Sequence, residues 1–130
     1  MIDLQDDAPI LLQANARVYD WNEVKDQLVF SDGNEVNIYT PDSHTTNFVT
    51  RQGDSIQSIA WLPSGDSIFV GTATTFSAIE PYRIAKQRVV TQLADMQDLQ
   101  MMWIGEDEKT AIFYGKKDGA TGFYSLELTR

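Results

Sequence analysis

A chain of 130 residues, of which 42% are hydrophobic, is long enough for one globular core and too apolar for wholesale disorder. Its net charge of −9 and its scattered basic residues argue against nucleic acid or anionic lipid as a partner. The absence of cysteine excludes disulfides, thiolate metal sites and a cysteine nucleophile. No apolar run approaches membrane-spanning length and the first residues are acidic, so we expect no membrane segment and a chain that is soluble as written, in an unknown compartment.

Short β-rich runs separated by turn residues follow one another along the chain after an N-terminal tail at residues 1–8. Three tryptophans, Trp21, Trp61 and Trp103, stand 40 and 42 residues apart, and each ends the second run of a group of four. The first group is 10–12, 17–21, 28–30 and 36–39; the second is 47–50, 56–61, 68–71 and 76–79; the third is 89–91, 99–103, 112–114 and 122–126.

A self-similar period near forty residues, with strands in each copy, predicts β-propeller blades. We therefore expect an all-β fold of three blades, each a twisted four-stranded antiparallel sheet, at approximately residues 9–46, 47–87 and 88–130. A helix is conceivable only at residues 83–93, where the β-branched pair Val89 and Val90 argues against it.

The phase of the repeat predicts how the chain assembles. The chain begins on an outer-type strand and ends on the strand that should pair with such an outer strand. Three blades alone would therefore leave two sheet faces uncovered and two strand edges unpaired. Two chains related by a two-fold axis would cover these faces and pair these edges by closing one six-bladed ring. Three chains would give more than the usual four to eight blades. The homodimer would exchange strands through Ile10, Leu11 and Leu12 of one chain and Phe123, Tyr124 and Leu126 of the other.

Residues 60–70, which read A-W-L-P-S-G-D-S-I-F-V, resemble the W-x-P-D-G-x-x-I-x-F signature of TolB-like, WD-repeat-like propeller blades. The segment Ile79-Glu80-Pro81 is similar to blades found beside PEGA domains in bacterial surface proteins. The turns after Trp21 and Trp103 lack the proline, and the Gly-His and Trp-Asp dipeptides of true WD repeats are absent. The resemblance implies a six-bladed ring that binds a protein or a small ligand without catalytic residues, and it fits an extracytoplasmic location.

Several residues have a structural and a functional interpretation. The periodic tryptophans are expected to pack between blades at equivalent positions, the alternative being a ligand-stacking ring. His44, the only histidine, is expected to be a solvated loop residue, because one histidine cannot provide a histidine-rich metal site. The acidic run Glu106-Asp107-Glu108 is interpreted as a solvated hairpin tip, with weak cation binding as the alternative. No metal, cofactor or catalytic residue is predicted.

The sequence favours a non-catalytic binding or scaffold domain whose ligand or protein partner meets the channel face. The alternatives are a propeller-type hydrolase or lyase, for which the inner strands offer Arg17 and Asp20, and an excised or engineered half-propeller without its own activity. The residues predicted to bind a ligand or partner are Arg17, Gln57 and Gln100 on the inner strands and Asp32, Asn34, Arg51, Asp54, Lys116 and Lys117 in the neighbouring loops.

Overall fold

The computed structural model describes residues 9, 11–81, 90–94 and 96–128, and of residues 90–94 it describes the backbone alone. These residues form strands and no helix, so the expectation of an all-β fold is confirmed. The strands are β1 (Val18–Asn22), β2 (Gln27–Ser31), β3 (Glu35–Thr40), β4 (Thr45–Arg51), β5 (Ile56–Trp61), β6 (Ile68–Thr72), β7 (Phe76–Ile79), β8 (Val90–Ala94), β9 (Gln97–Ile104), β10 (Thr110–Lys117) and β11 (Ala120–Glu127).

The strands form three antiparallel sheets in which every hydrogen-bonded pair is consecutive in sequence. The first sheet has the order β1-β2-β3-β4 and the second β5-β6-β7-β8, whereas the third, β9-β10-β11, has three strands. The inner strands β1, β5 and β9 lie side by side in that order. The described part of the chain is therefore a row of three sheets, and it does not close into a ring.

The sheets are offset from the sequence repeat by one strand. β4 pairs with β3, so the strand that opens the second repeat is the outer strand of the first sheet. The sheets consequently take residues 18–51, 56–94 and 97–127, whereas the predicted blade divisions fall after residues 46 and 87. The predicted strand at 10–12 is not formed by its described residues, because Leu11 and Leu12 lie outside any strand; Ile10 lies outside the described residues.

Two hydrophobic cores hold the row together, one on each face of the middle sheet. Val29, Val36 and Ile38 of the first sheet pack against Ile59, Trp61 and Val70 of the second. On the other face, Phe69 and Phe76 pack against residues of the third sheet, including Leu99 and Phe113. The rings of Phe76 and Phe113 meet edge to face with centroids 5.0 Å apart, a favoured aromatic geometry. β6 is accordingly buried along its whole length.

Close approach of the second and third sheets requires a glycine at position 71. A Cβ atom there would lie 2.6 Å from both the Leu99 Cβ and the Ser58 Oγ, well inside van der Waals contact. Glycine therefore lets β9 pack directly on β6. None of the described segments is a helix long and apolar enough to cross a membrane.

Candidate functional site

The inner strands end around a concave cavity of about 660 Å³, within the size range of small-molecule sites. It lies where β1, β5 and β9 lead into their hairpin turns, so each sheet contributes one strand end and one turn. All three tryptophans line it. The lining residues are Tyr19, Asp20, Trp21, Asn22, Glu23 and Val24 from the first sheet, Ile59, Ala60, Trp61, Pro63 and Ser64 from the second, and Met102, Trp103, Ile104, Glu106 and Glu108 from the third.

The three tryptophans differ in their surroundings, although all border the cavity. Trp61 is 3% exposed and belongs to the first core, whereas Trp21 is 44% and Trp103 54% exposed. Within the described part of the chain, Trp61 alone of the three packs between two sheets. The prediction that all three hold equivalent positions is wrong for Trp103, whereas Trp21 holds the same position as Trp61 relative to its hairpin. Trp21 lies on the face of the first sheet that points away from the second, where the described residues supply no neighbouring sheet.

Trp103 is exposed because its register differs by one residue from that of the other two. The first hairpin has Asn22 paired with Gln27, and the corresponding backbone bonds run from Leu62 N to Ser67 O and from Gly105 N to Thr110 O. Trp21 and Trp61 immediately precede these positions, whereas Trp103 lies two residues before Gly105. Since side chains alternate along a strand, this shift places Trp103 on the opposite face, away from the second sheet.

Three polar side chains from the outer sheets hold the inner strand and turn of the middle sheet. The Asp20 carboxylate accepts the Trp61 N–H at 2.8 Å, and the buried Asn22 amide donates to the Pro63 carbonyl at 3.0 Å. From the third sheet, the Glu108 carboxylate accepts the Ser64 N–H at 2.7 Å. These bonds fix the relative positions of the three strand ends, so the cavity has a defined wall.

Electrostatics make the cavity attractive to cations. Asp20, Glu23, Glu106 and Glu108 line it, and the described lining includes no lysine, arginine or histidine. Burial raises the pKa of Asp20 above its ordinary value, an effect opposed by the N–H of Trp61. Across the described part of the chain, no three or more His, Cys, Asp or Glu side chains are grouped as metal ligands would be. The site therefore combines aromatic rings with negative charge but lacks a compact metal-ligand set.

Several predicted binding residues meet at the opposite end of the inner strands. Asp32 accepts the N–H groups of Asn34 and Glu35 at 2.9 and 3.0 Å, and these bonds lower the Asp32 pKa. Arg51 forms a 2.6 Å ion pair with Glu35, and Asp54 accepts the Thr74 hydroxyl. The structure thus brings together Asp32, Asn34 and Arg51 as part of a loop network that joins the first two sheets.

The remaining predicted binding residues are spread over the three sheets. Arg17 precedes β1, with its side chain close to Gly33 in that loop network. Gln57 and Gln100 are exposed on β5 and β9. Lys116 and Lys117 lie at the β10–β11 hairpin. A binding role for these residues stays a prediction, and the cavity at the other end of the inner strands was not anticipated.

The three β11 residues that are predicted to close the dimer lie on two different faces of the third sheet. Phe123 is 69% exposed, whereas Tyr124 and Leu126 pack against the second core of their own chain. Leu11 and Leu12 are exposed. The side chains of Tyr124 and Leu126 are therefore already used within one chain. A partner strand could pair only with the backbone of these residues, along the edge of β11.

No protein-family model and no curated protein matches this chain. Its fold is similar to that of hydrazine synthase from Kuenenia stuttgartiensis, with a TM-score of 0.69 and 14% identity over 96% of this chain and 36% of that one. It is also similar to an auxiliary nutrient binding protein from Bacteroides ovatus ATCC 8483, with a TM-score of 0.50 and 11% identity over 86% of this chain and 31% of that one. This chain thus spans about a third of the length of either, and the likeness shows a shared fold.

Proposed function

We propose that this chain is a non-catalytic β-propeller domain, of the TolB-like or WD-repeat-like type, that binds a small ligand or a protein segment. The observation that carries this proposal is the cavity at the ends of β1, β5 and β9, which is lined by all three sheets and by four carboxylates from the first and third. The fold shared with an auxiliary nutrient binding protein is in keeping with such a role.

The chemistry of the cavity favours a cationic group as the ligand. The carboxylates of Asp20, Glu23, Glu106 and Glu108 attract such a group, and the described lining includes no lysine, arginine or histidine to repel it. An amine or guanidinium group, carried by a small molecule or by a Lys or Arg side chain, has this chemistry. Glu23 and Glu106 stand on the turns at the rim of the cavity and are exposed.

The domain works, in this proposal, as half of a six-bladed ring that a second copy completes. The third sheet has three strands where the other two have four, so a strand from the N-terminal part of the partner can be added along β11. The cavity then becomes one side of the mouth of the central channel.

Binding is tested by amide NMR titration of the whole chain with tetramethylammonium chloride and, in a second arm, with an arginine-rich peptide. We expect shifts at the three turns, and Glu23→Gln or Glu106→Gln should weaken binding roughly two- to fivefold each. Asp118→Asn, which removes the same charge at the distant β10–β11 turn, is the matched control. Equal shifts with the neutral analogue neopentyl alcohol, or no shift with either cation, would refute the cationic ligand.

Ring closure is tested by light scattering, which should give twice the 14.7 kDa mass of one chain. Deleting the residues before Gln13 removes the strand proposed for exchange and should cause aggregation or loss of the dimer. A deletion variant that stays dimeric and equally stable would contradict the exchange of strands.

A further inference from the structure

Among the described residues, two sheet faces have no neighbouring sheet. The first open face includes Tyr19, Trp21, Leu28 and Tyr39, which cross-strand pairing places on one side of the first sheet. Phe30, paired with Tyr19, lies on the same side and is itself buried. The last open face includes Met101, Trp103, Ile112, Tyr114 and Phe123, which the pairings of β9, β10 and β11 place on one side of the third sheet. Ser125 lies among them, and Lys116 and Glu127 lie on the same side at the strand ends. Antiparallel partners share a face, so each group forms one continuous surface.

Both open faces carry exposed aromatic residues at their centres. Tyr19 is 72% exposed, and Trp21, Trp103, Met101 and Phe123 are also among the exposed large hydrophobic residues. The charged residues Lys116 and Glu127 lie at the ends of the last open face, away from its aromatic centre. Contiguous apolar surface of this kind marks an interaction site in a soluble protein.

The buried interface between the first two sheets indicates what covers the first open face. Trp21 and Trp61 occupy the same position relative to their hairpins, but the first sheet covers Trp61 whereas Trp21 is bare. The first sheet packs on Trp61 and buries it. Another sheet that packed on Trp21 with the same geometry would bury Trp21 as well.

The same interface also indicates which residue of the covering sheet would contact Trp21. Asp20, two residues before Asn22, is the residue of the first sheet that reaches the Trp61 N–H. Trp103 holds the corresponding position in the third sheet, two residues before Gly105. A third sheet that repeats this packing on the first open face would therefore bring Trp103 next to Trp21.

We propose that the first open face of one copy packs on the last open face of a second copy, with Trp21 and the partner's Trp103 at the centre of the contact. This inference rests on the proposed ring and names the surfaces that close it. A second copy is the occupant because each open face continues a sheet-on-sheet interface already present within the chain. The two faces differ, so the contact is head to tail, and two identical contacts about a two-fold axis close three sheets plus three into one ring.

The test uses two variants, Trp21→Asp and Trp103→Asp, each in the full chain. Either variant alone spoils both contacts of a dimer, so we expect the dimer dissociation constant by analytical ultracentrifugation to rise at least about a hundredfold, since a buried aromatic anchor is lost and an unpaired charge is placed in each contact. An equimolar mixture can form one contact with both tryptophans intact, so we expect it to associate more tightly than either variant alone.

Controls separate this contact from folding and from other modes of association. Both tryptophans are half exposed within the chain, so circular dichroism should show each variant folded. Asn47→Asp adds the same charge at an exposed residue of β4, on the side of the first sheet opposite the first open face, and should leave association unchanged. A face-to-face contact between two copies of the same surface would leave one variant fully dimeric and overturn the proposal. So would a wild-type monomer, the result expected if further sheets of a longer chain cover these faces, or a mixture no tighter than its components. The cation titration is made on Glu23→Gln and Glu106→Gln, in which both tryptophans are intact, so loss of ring closure and loss of ligand binding can be told apart.

Discussion

The carboxylate of Asp20 accepts the backbone N–H of Trp61 at 2.8 Å and so ties the inner strand of the first sheet to that of the second. The bond is made between different sheets, since Asp20 lies on β1 and Trp61 ends β5. It spans 41 residues of sequence at the border of the cavity. Asp20 therefore has a structural role in positioning the candidate site.

Replacing Asp20 by alanine should destabilise the fold, because the Trp61 N–H loses its acceptor in a partly buried position. We expect a loss of about 1–3 kcal/mol in the free energy of unfolding, measured by urea denaturation. Asp20→Asn should lose less, because its amide oxygen can still accept the bond. An alanine variant as stable as the wild type would show that the bond contributes nothing to the docking of the two strands.

The lowered pKa of Asp32 predicts a pH dependence of stability. The N–H groups of Glu35 and Asn34 favour the charged carboxylate, so Asp32 contributes stability above its unfolded pKa, 3.8 as reference, and this contribution is lost as pH falls through the folded pKa. Asp32→Asn keeps an acceptor oxygen but no charge. It should be less stable than wild type at neutral pH, and the difference should shrink in acid when unfolding is measured at several pH values.

Asp20 provides a control of opposite sign for that experiment. Burial raises its pKa, so the folded state holds its proton more tightly than the unfolded state, and the stability that this group contributes falls as pH rises through and above 3.8. Relative to wild type, Asp20→Asn should therefore become more favourable as pH rises, whereas Asp32→Asn should become less favourable. Parallel slopes for the two variants would contradict the assignment.

Adding a methyl group at Gly71 should separate the second and third sheets. Gly71→Ala places a Cβ 2.6 Å from the Leu99 Cβ, and strands packed on both sides leave little room for movement. We expect a loss of about 1–3 kcal/mol in the free energy of unfolding, measured in urea. Gly53→Ala is the matched control, since no atom lies within 4 Å of its Cβ position and its stability should hardly change.

Salt should affect assembly and ligand binding in opposite directions. Each copy carries a net charge of −9, so two copies repel one another, and added salt screens that repulsion while the apolar open faces keep their attraction. Between about 0.02 and 0.5 M NaCl we expect the dimer dissociation constant to fall by roughly three- to tenfold, and cation binding at the cavity to weaken. Sedimentation and NMR titration at each salt concentration check the two effects, and a dimer that weakens with salt would point to a contact dominated by ion pairs.

The sequence predicted most of the strands, because neighbouring hairpins with clear turn residues define them. It assigned β4 and β8, however, to the blade that follows the sheet they join. It did not predict the face of Trp103, because the spacing between tryptophans hides a shift of one residue relative to the hairpin. Counting residues back from the hairpin turn would have revealed this shift. That count assigns Met102, Ile104 and Phe113 to the side that faces the second sheet. The sequence did not predict the hydrogen bonds of Asp20 and Asn22, because their partners lie on another sheet.

The hairpin order of the sheets has a consequence for synthesis on the ribosome. Every strand pairs with its neighbour in sequence, so the first sheet needs no residue beyond Arg51 to form its hydrogen bonds. The second sheet can then dock on a template that already exists, and the third on the second, because each newly made apolar face meets the previous one. Local pairing of this kind forms quickly, because the paired strands are close in sequence. The nascent chain can therefore acquire its structure one sheet at a time, from the N-terminus onward.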